Sequence, residues 1–150
     1  MNRAASFFCL TIALFAHSIP LFADSVSLVG LWRQLDDRTG KPHSLIRIRE
    51  YGGQYEGNIE TTFSLPGEPI APQCWECSDW RKNKLLAGLL ILTGMRGSGL
   101  QYEGGEILDP VKGQVYRCEM KLAEDGMHVY VRGYIGISLF GRTQLWEKVE

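Results

Sequence analysis

RCEMKLAEDGMHVYVRG, residues 117–133, holds a turn dipeptide, Asp125-Gly126, between two runs that alternate apolar and charged residues. A turn there pairs Leu122 with Val129, Met120 with Val131 and Cys118 with Gly133, all on one row. Glu119 then meets Arg132 on the other row. A one-residue slip would carry the apolar row into water, so the register is strongly specified. This is a β-hairpin with one face toward a core.

The same reading works upstream. Gly52-Gly53 sets Tyr51 opposite Gln54, Arg49 opposite Glu56, Arg47 opposite Asn58 and Ile46 opposite Ile59. Ile46, Ile48 and Ile59 again share a face that the charges avoid. Beyond residue 30 the period is two throughout, with turn residues every ten positions or so. Eight strands are predicted, over 30–36, 43–51, 54–62, 85–93, 101–108, 114–123, 128–136 and 138–148. Short connections make a meander, and closing it hides its edges. The expectation is all-β, an eight-stranded antiparallel up-and-down barrel; the alternative is a two-sheet sandwich. Gly133, Gly136 and Gly141 suit a wall that must curve, with Gly133 on the inward row and the other two flanking a bent last strand. Leu85–Leu92 (LLAGLLIL) is apolar on both faces. Its outer face needs cover from the 63–84 loop, with Trp75 and Trp80, or from a second copy in a weak homodimer through 85–92.

Arg3 followed by the apolar Ser6–Ala16 reads as a signal peptide over 1–23, cleaved near Ala23. The apolar core is too short to span a bilayer. Residues 24–150 then form one domain, expected to be soluble and periplasmic or secreted. The chain carries 16 Lys+Arg against 17 Asp+Glu, a formal charge of −1. Such a balance leaves no footprint for nucleic acid. Past the signal segment stand Cys74, Cys77 and Cys118, an odd number for an oxidising compartment.

Enzyme motifs are sparse. His43 and His128 read as surface residues, and no nucleophile elbow, phosphate loop or His-Glu-x-x-His pair occurs. Gly97-Ser98-Gly99 reads as a hairpin loop and Asp109–Gly113 as a turn. No catalytic residue, metal or cofactor is assigned. Cys74-Trp75-Glu76-Cys77 lies in a Pro-rich loop without the helix that would activate a thiol. A Cys74–Cys77 disulfide with Cys118 free suits an inward-facing Cys118. Linking a loop cysteine to Cys118 would close about 40 residues and stabilise by ~4 kcal/mol against ~2 for the short ring. Arg47, Arg49 and Arg132 fall on the outer row as exposed charges.

GGEILDPVKGQVYRC (104–118) and VRGYIGISLFGRTQLW (131–146) resemble two signature blocks of the domain of unknown function 2147 family. Gly30-Leu31-Trp32 and Cys74-x-x-Cys77 before an apolar strand are similar to features common in it. The resemblance spans residues 24–150 and implies an exported bacterial protein with a lipocalin-like barrel; it carries no activity. Gly30-x-Trp32 with Arg142 near the last strand is also similar to the wider lipocalin and calycin pattern. That resemblance implies a Trp plugging the closed barrel end with Arg142 packed over it. The function expected is binding of a small apolar or amphipathic ligand, mostly aliphatic with one polar end. Its lining would be Ile46, Ile48, Ile59, Tyr116, Met120, Leu122, Val129 and Val131. The alternative is an envelope interaction module with a filled barrel.

Overall fold

Alternating apolar residues with glycine-bearing turns give eight strands among the described residues: β1 Gly30–Leu35, β2 Pro42–Tyr51, β3 Gln54–Thr62 and β4 Leu90–Ser98, then β5 Gln101–Asp109, β6 Gln114–Leu122, β7 His128–Tyr134 and β8 Arg142–Lys148. The computed structural model describes residues 26–64, 67 and 72–150. The signal peptide read over 1–23 lies outside them. Each strand pairs antiparallel with the next, and β8 returns to β1, so the sheet is a closed barrel rather than a sandwich.

Both hairpin registers match the sequence reading. Tyr51 faces Gln54, Arg49 faces Glu56 and Ile46 faces Ile59. Leu122 faces Val129, Met120 faces Val131 and Cys118 faces Gly133. Closure adds backbone bonds from Leu31 N to Glu150 O (3.0 Å) and from Val149 N to Leu31 O (2.7 Å). Gly30 permits this approach. It sits at φ +147°, and a Cβ there would fall 2.2 Å from the Glu150 carbonyl oxygen.

Two strand boundaries differ from expectation. β4 begins at Leu90, not Leu85, because Leu85–Leu89 is turned by bonds from Leu86 N to Pro72 O and Gly88 N to Ile59 O. The apolar run is covered from within the chain, Leu86, Leu89 and Ile91 being buried in one cluster with Cys74 and Cys77, while Trp75 and Trp80 remain exposed. Leu85, outside that cluster, is 60% exposed. At the other boundary, 135–141 leaves the sheet as a loop with a 3-10 turn at Ser138–Phe140. Gly136, at φ +75°, and Gly141 bracket that loop instead of bending a strand. Arg132 holds it: Nε donates to Ser138 O (2.8 Å) and a terminal nitrogen to Leu139 O (3.1 Å). Gly97 and Ser98 belong to β4, and the hairpin turns on Gly99-Leu100.

The barrel has a closed end and a loop end. Trp32, Ile46, Ile48, Met120, Leu122, Val129 and Trp146 are buried toward the closed end. Trp32 Nε1 donates to Leu28 O at 2.8 Å. The cation over its ring is Lys148, whose Nζ lies 5.4 Å from the ring centre. This corrects the expectation for Arg142. Trp32 pairs with Lys148 across the closing seam, and Arg142 stands six residues back along β8. At about 3.4 Å per residue that puts it roughly 20 Å away, at the loop end.

Candidate functional site

Four connections gather at the loop end, their described residues being 36–41, 63–64 with 67 and 72–89, 110–113 and 135–141. Between them opens a chamber of about 1040 Å³ that runs down into the barrel. One wall is apolar, with Ile59, Ile91, Ile107, Leu108 and Val131. Gly133 opens it further. A Cβ there would be 3.4 Å from Tyr116 Cβ and 3.5 Å from Ile107 Cγ2, ordinary contacts with room beyond. On the same inward row Gly105 is packed shut, its Cβ position lying 2.4 Å from Met95 Sδ.

The facing wall is polar. Ser44 Oγ donates to Gln34 Oε1 at 2.5 Å, and Gln34 Nε2 donates to Gln144 Oε1 at 2.8 Å. These three residues stand on β2, β1 and β8, one inward step above Ile46, Trp32 and Trp146 respectively. Ser44 is buried and Gln34 and Gln144 are half-buried, and all three line the chamber.

Charges stand at the mouth. Arg142 pairs with Asp37 through Nε (2.6 Å) and a terminal nitrogen (2.5 Å), tying β8 to the 36–41 turn. Asp36 accepts from the Thr39 hydroxyl (2.8 Å) and backbone N–H (2.9 Å), which hold its carboxyl below the usual carboxylate range. Lys112 lies 3.7 Å from Asp109. The rim also exposes apolar side chains: Phe140 is 80% exposed, Val111 65% and Ile135 64%.

Of the residues read from sequence as barrel lining, Ile59, Tyr116 and Val131 border the chamber. Ile46, Ile48, Met120, Leu122 and Val129 are buried beneath it in the closed half. Gly30 and Trp32 stand at the closing seam, and Arg142 at the mouth. Cys74 and Cys77 form the disulfide, and Cys118 is free. Burial raises the Cys118 thiol to about 12, so it stays neutral inside the wall. His128 accompanies Asp125 (2.7 Å) at the closed end, while His43 borders the chamber.

Gln34, Ser44 and Gln144 were not singled out from sequence. The signal was there: each lies two residues from an inward-facing Trp32, Ile46 or Trp146, and period two carries it to the same face.

The family model described as an uncharacterized protein conserved in bacteria (DUF2147) matches residues 30–148, and the chain belongs to that family. A solved structure described as "Protein HP1028 from the human pathogen Helicobacter pylori belongs to the lipocalin family" is similar in fold, with a TM-score of 0.70 over 83% of this chain and 84% of that one, at 17% identity. No curated protein matches in sequence.

Proposed function

We propose that this DUF2147 protein is an exported bacterial binding protein that holds a small apolar or amphipathic molecule in the chamber at the loop end of its barrel. The observation that carries the reading is the chamber itself, about 1040 Å³ with an apolar wall, above a closed half whose inward side chains are buried from solvent. Small-molecule sites commonly measure about 300–1,000 Å³ and are mostly apolar with a few placed polar groups. The lipocalin-like fold and the Cys74–Cys77 disulfide are compatible with this role and with export. Among the described residues no helix is long and apolar enough to cross a membrane. No catalytic role is proposed.

Native mass spectrometry of the protein recovered from a bacterial periplasm tests both parts. The chain should begin near Asp24, and a fraction should retain a non-covalent mass that organic solvent removes. A chain that keeps residues 1–23, or a bare mass together with no uptake of any amphiphile, counts against the reading. The exposed Ile137, Leu139 and Phe140 of the rim loop favour a second reading, a docking face for another envelope protein. In that case Leu139→Asp abolishes co-purification of a partner and leaves amphiphile uptake unchanged.

A further inference from the structure

The Gln34–Ser44–Gln144 chain narrows what the chamber can hold. A glutamine amide offers two N–H donors and an oxygen with two acceptor sites, and a serine hydroxyl one donor and two acceptor sites. The two internal bonds consume only part of this capacity. Gln34 and Gln144 both line the chamber, and those bonds leave one N–H of Gln34 and the N–H groups of Gln144 over. The barrel does not require such a chain. Replacing all its members by apolar residues of similar shape would be close to neutral for folding, because only a half-removed network leaves buried groups unpaired. Polar groups kept where packing would accept leucine and valine point to a guest.

Charge decides the class of guest. The cations lining the described chamber stand at its mouth: Arg142 is engaged by Asp37, and Lys112 lies beside Asp109. Asp36, Asp37, Glu76 and Asp109 outnumber them there. An anionic head held at the mouth meets this acidic excess. Pushed down to the amide layer it is desolvated beside Gln34, Ser44 and Gln144, none of which carries a charge, and burying an unpaired charge is strongly unfavourable. A cationic head at that depth suffers the same desolvation. The apolar side chains of the rim, Ile135, Phe140 and Val111, suit a tail rather than a head.

We infer, on the premise that the chamber is a binding site, that it takes a single-tailed amphiphile with an uncharged, oxygen-bearing head, seated head first so that carbonyl or hydroxyl groups meet Gln34, Ser44 and Gln144. Three probes with one tail and different heads test this by calorimetric titration at about pH 8, where a carboxylate is ionised: 1-monolauroylglycerol, laurate and dodecylammonium, each below its micellar concentration. Monolauroylglycerol should bind at least about tenfold more tightly than either ion, the worth of one well-made buried hydrogen bond. Gln144→Leu should weaken monolauroylglycerol by about tenfold, the loss of that hydrogen bond, and move laurate and dodecylammonium by less than about threefold. Either ion binding as tightly as monolauroylglycerol to the unmodified protein overturns the head-group inference and leaves the chamber as the site. A monolauroylglycerol affinity unchanged by Gln144→Leu overturns the assignment to the amide chain. If none of the three binds, the chamber is not the site and the inference falls with it. The ranking in the unmodified protein decides the head class even if Gln144→Leu does not fold.

Discussion

Gly105 on β5 and Gly133 on β7 share an inward row on either side of Cys118, yet a side chain added at each should act in opposite ways. At Gly133 a new Cβ meets Tyr116 and Ile107 at 3.4 and 3.5 Å, and its φ lies outside the left-handed region. A strand glycine costs roughly 0.5–1 kcal/mol relative to alanine, so Gly133→Ala should stabilise by about that much and raise Tm by roughly 3 °C. At Gly105 a Cβ falls 2.4 Å from Met95 Sδ and 2.5 Å from the Thr93 carbonyl oxygen. Overpacking of this kind costs about 1–3 kcal/mol, so Gly105→Ala should unfold earlier by several degrees. Gly133→Leu extends into the chamber. If it displaces two or three methylenes of a bound tail, at about 0.8 kcal/mol each, affinity drops by about 2 kcal/mol, or roughly 30-fold. Thermal denaturation and titration with monolauroylglycerol read the two effects separately. A Gly133→Leu protein destabilised like Gly105→Ala would refute the open chamber. One that is stable and binds with unchanged affinity would place the guest elsewhere.

The Cys118 thiol, raised by burial from 9.0 to about 12, keeps its proton in the fold where the unfolded chain loses it. Its contribution is whole below about pH 9 and is lost as pH rises toward 12, at about 1.4 kcal/mol per unit. Urea midpoints for Cys118→Ala should show a shallower alkaline fall than the unmodified protein. Arg142→Ala should cost under about 1 kcal/mol, since the pair with Asp37 is largely exposed. Trp32→Phe should cost more, about 1–3 kcal/mol, by stranding the Leu28 carbonyl that the indole satisfies; equal urea midpoints for the two variants would contradict this. Cys74→Ala with Cys77→Ala should cost about 2 kcal/mol, the loop-closure worth of so short a ring, measured against the unmodified protein under non-reducing conditions.

The strands, their two tightest registers and the inward row were legible in the sequence because they depend on local rules. Alternation divides the faces, and a turn dipeptide fixes which residues stand opposite. Ile46 opposite Ile59 and Cys118 opposite Gly133 follow from a few residues of chain. The start of β4 was not legible: Leu85–Leu89 has strand composition, yet Leu86 N–H goes to Pro72 O in the loop, Gly88 N–H to Ile59 O on β3, and Leu89 N–H closes a turn on Leu86 O. Composition does not choose between two acceptors that are distant in sequence.

The sequence by itself determined an all-β chain, its meander, and the faces of its strands. Only the tertiary structure decided what those faces enclose. Arg142 and Lys148 both follow the last glycine of the chain, but the seam between β1 and β8 assigns Lys148 to Trp32 and Arg142 to Asp37. The inward row is one row in sequence and two environments in space, tight at Gly105 and open beside Gly133. Whether a barrel is filled is a balance of side-chain volumes summed over eight strands and four loops at once, and a period of two carries no information about that sum.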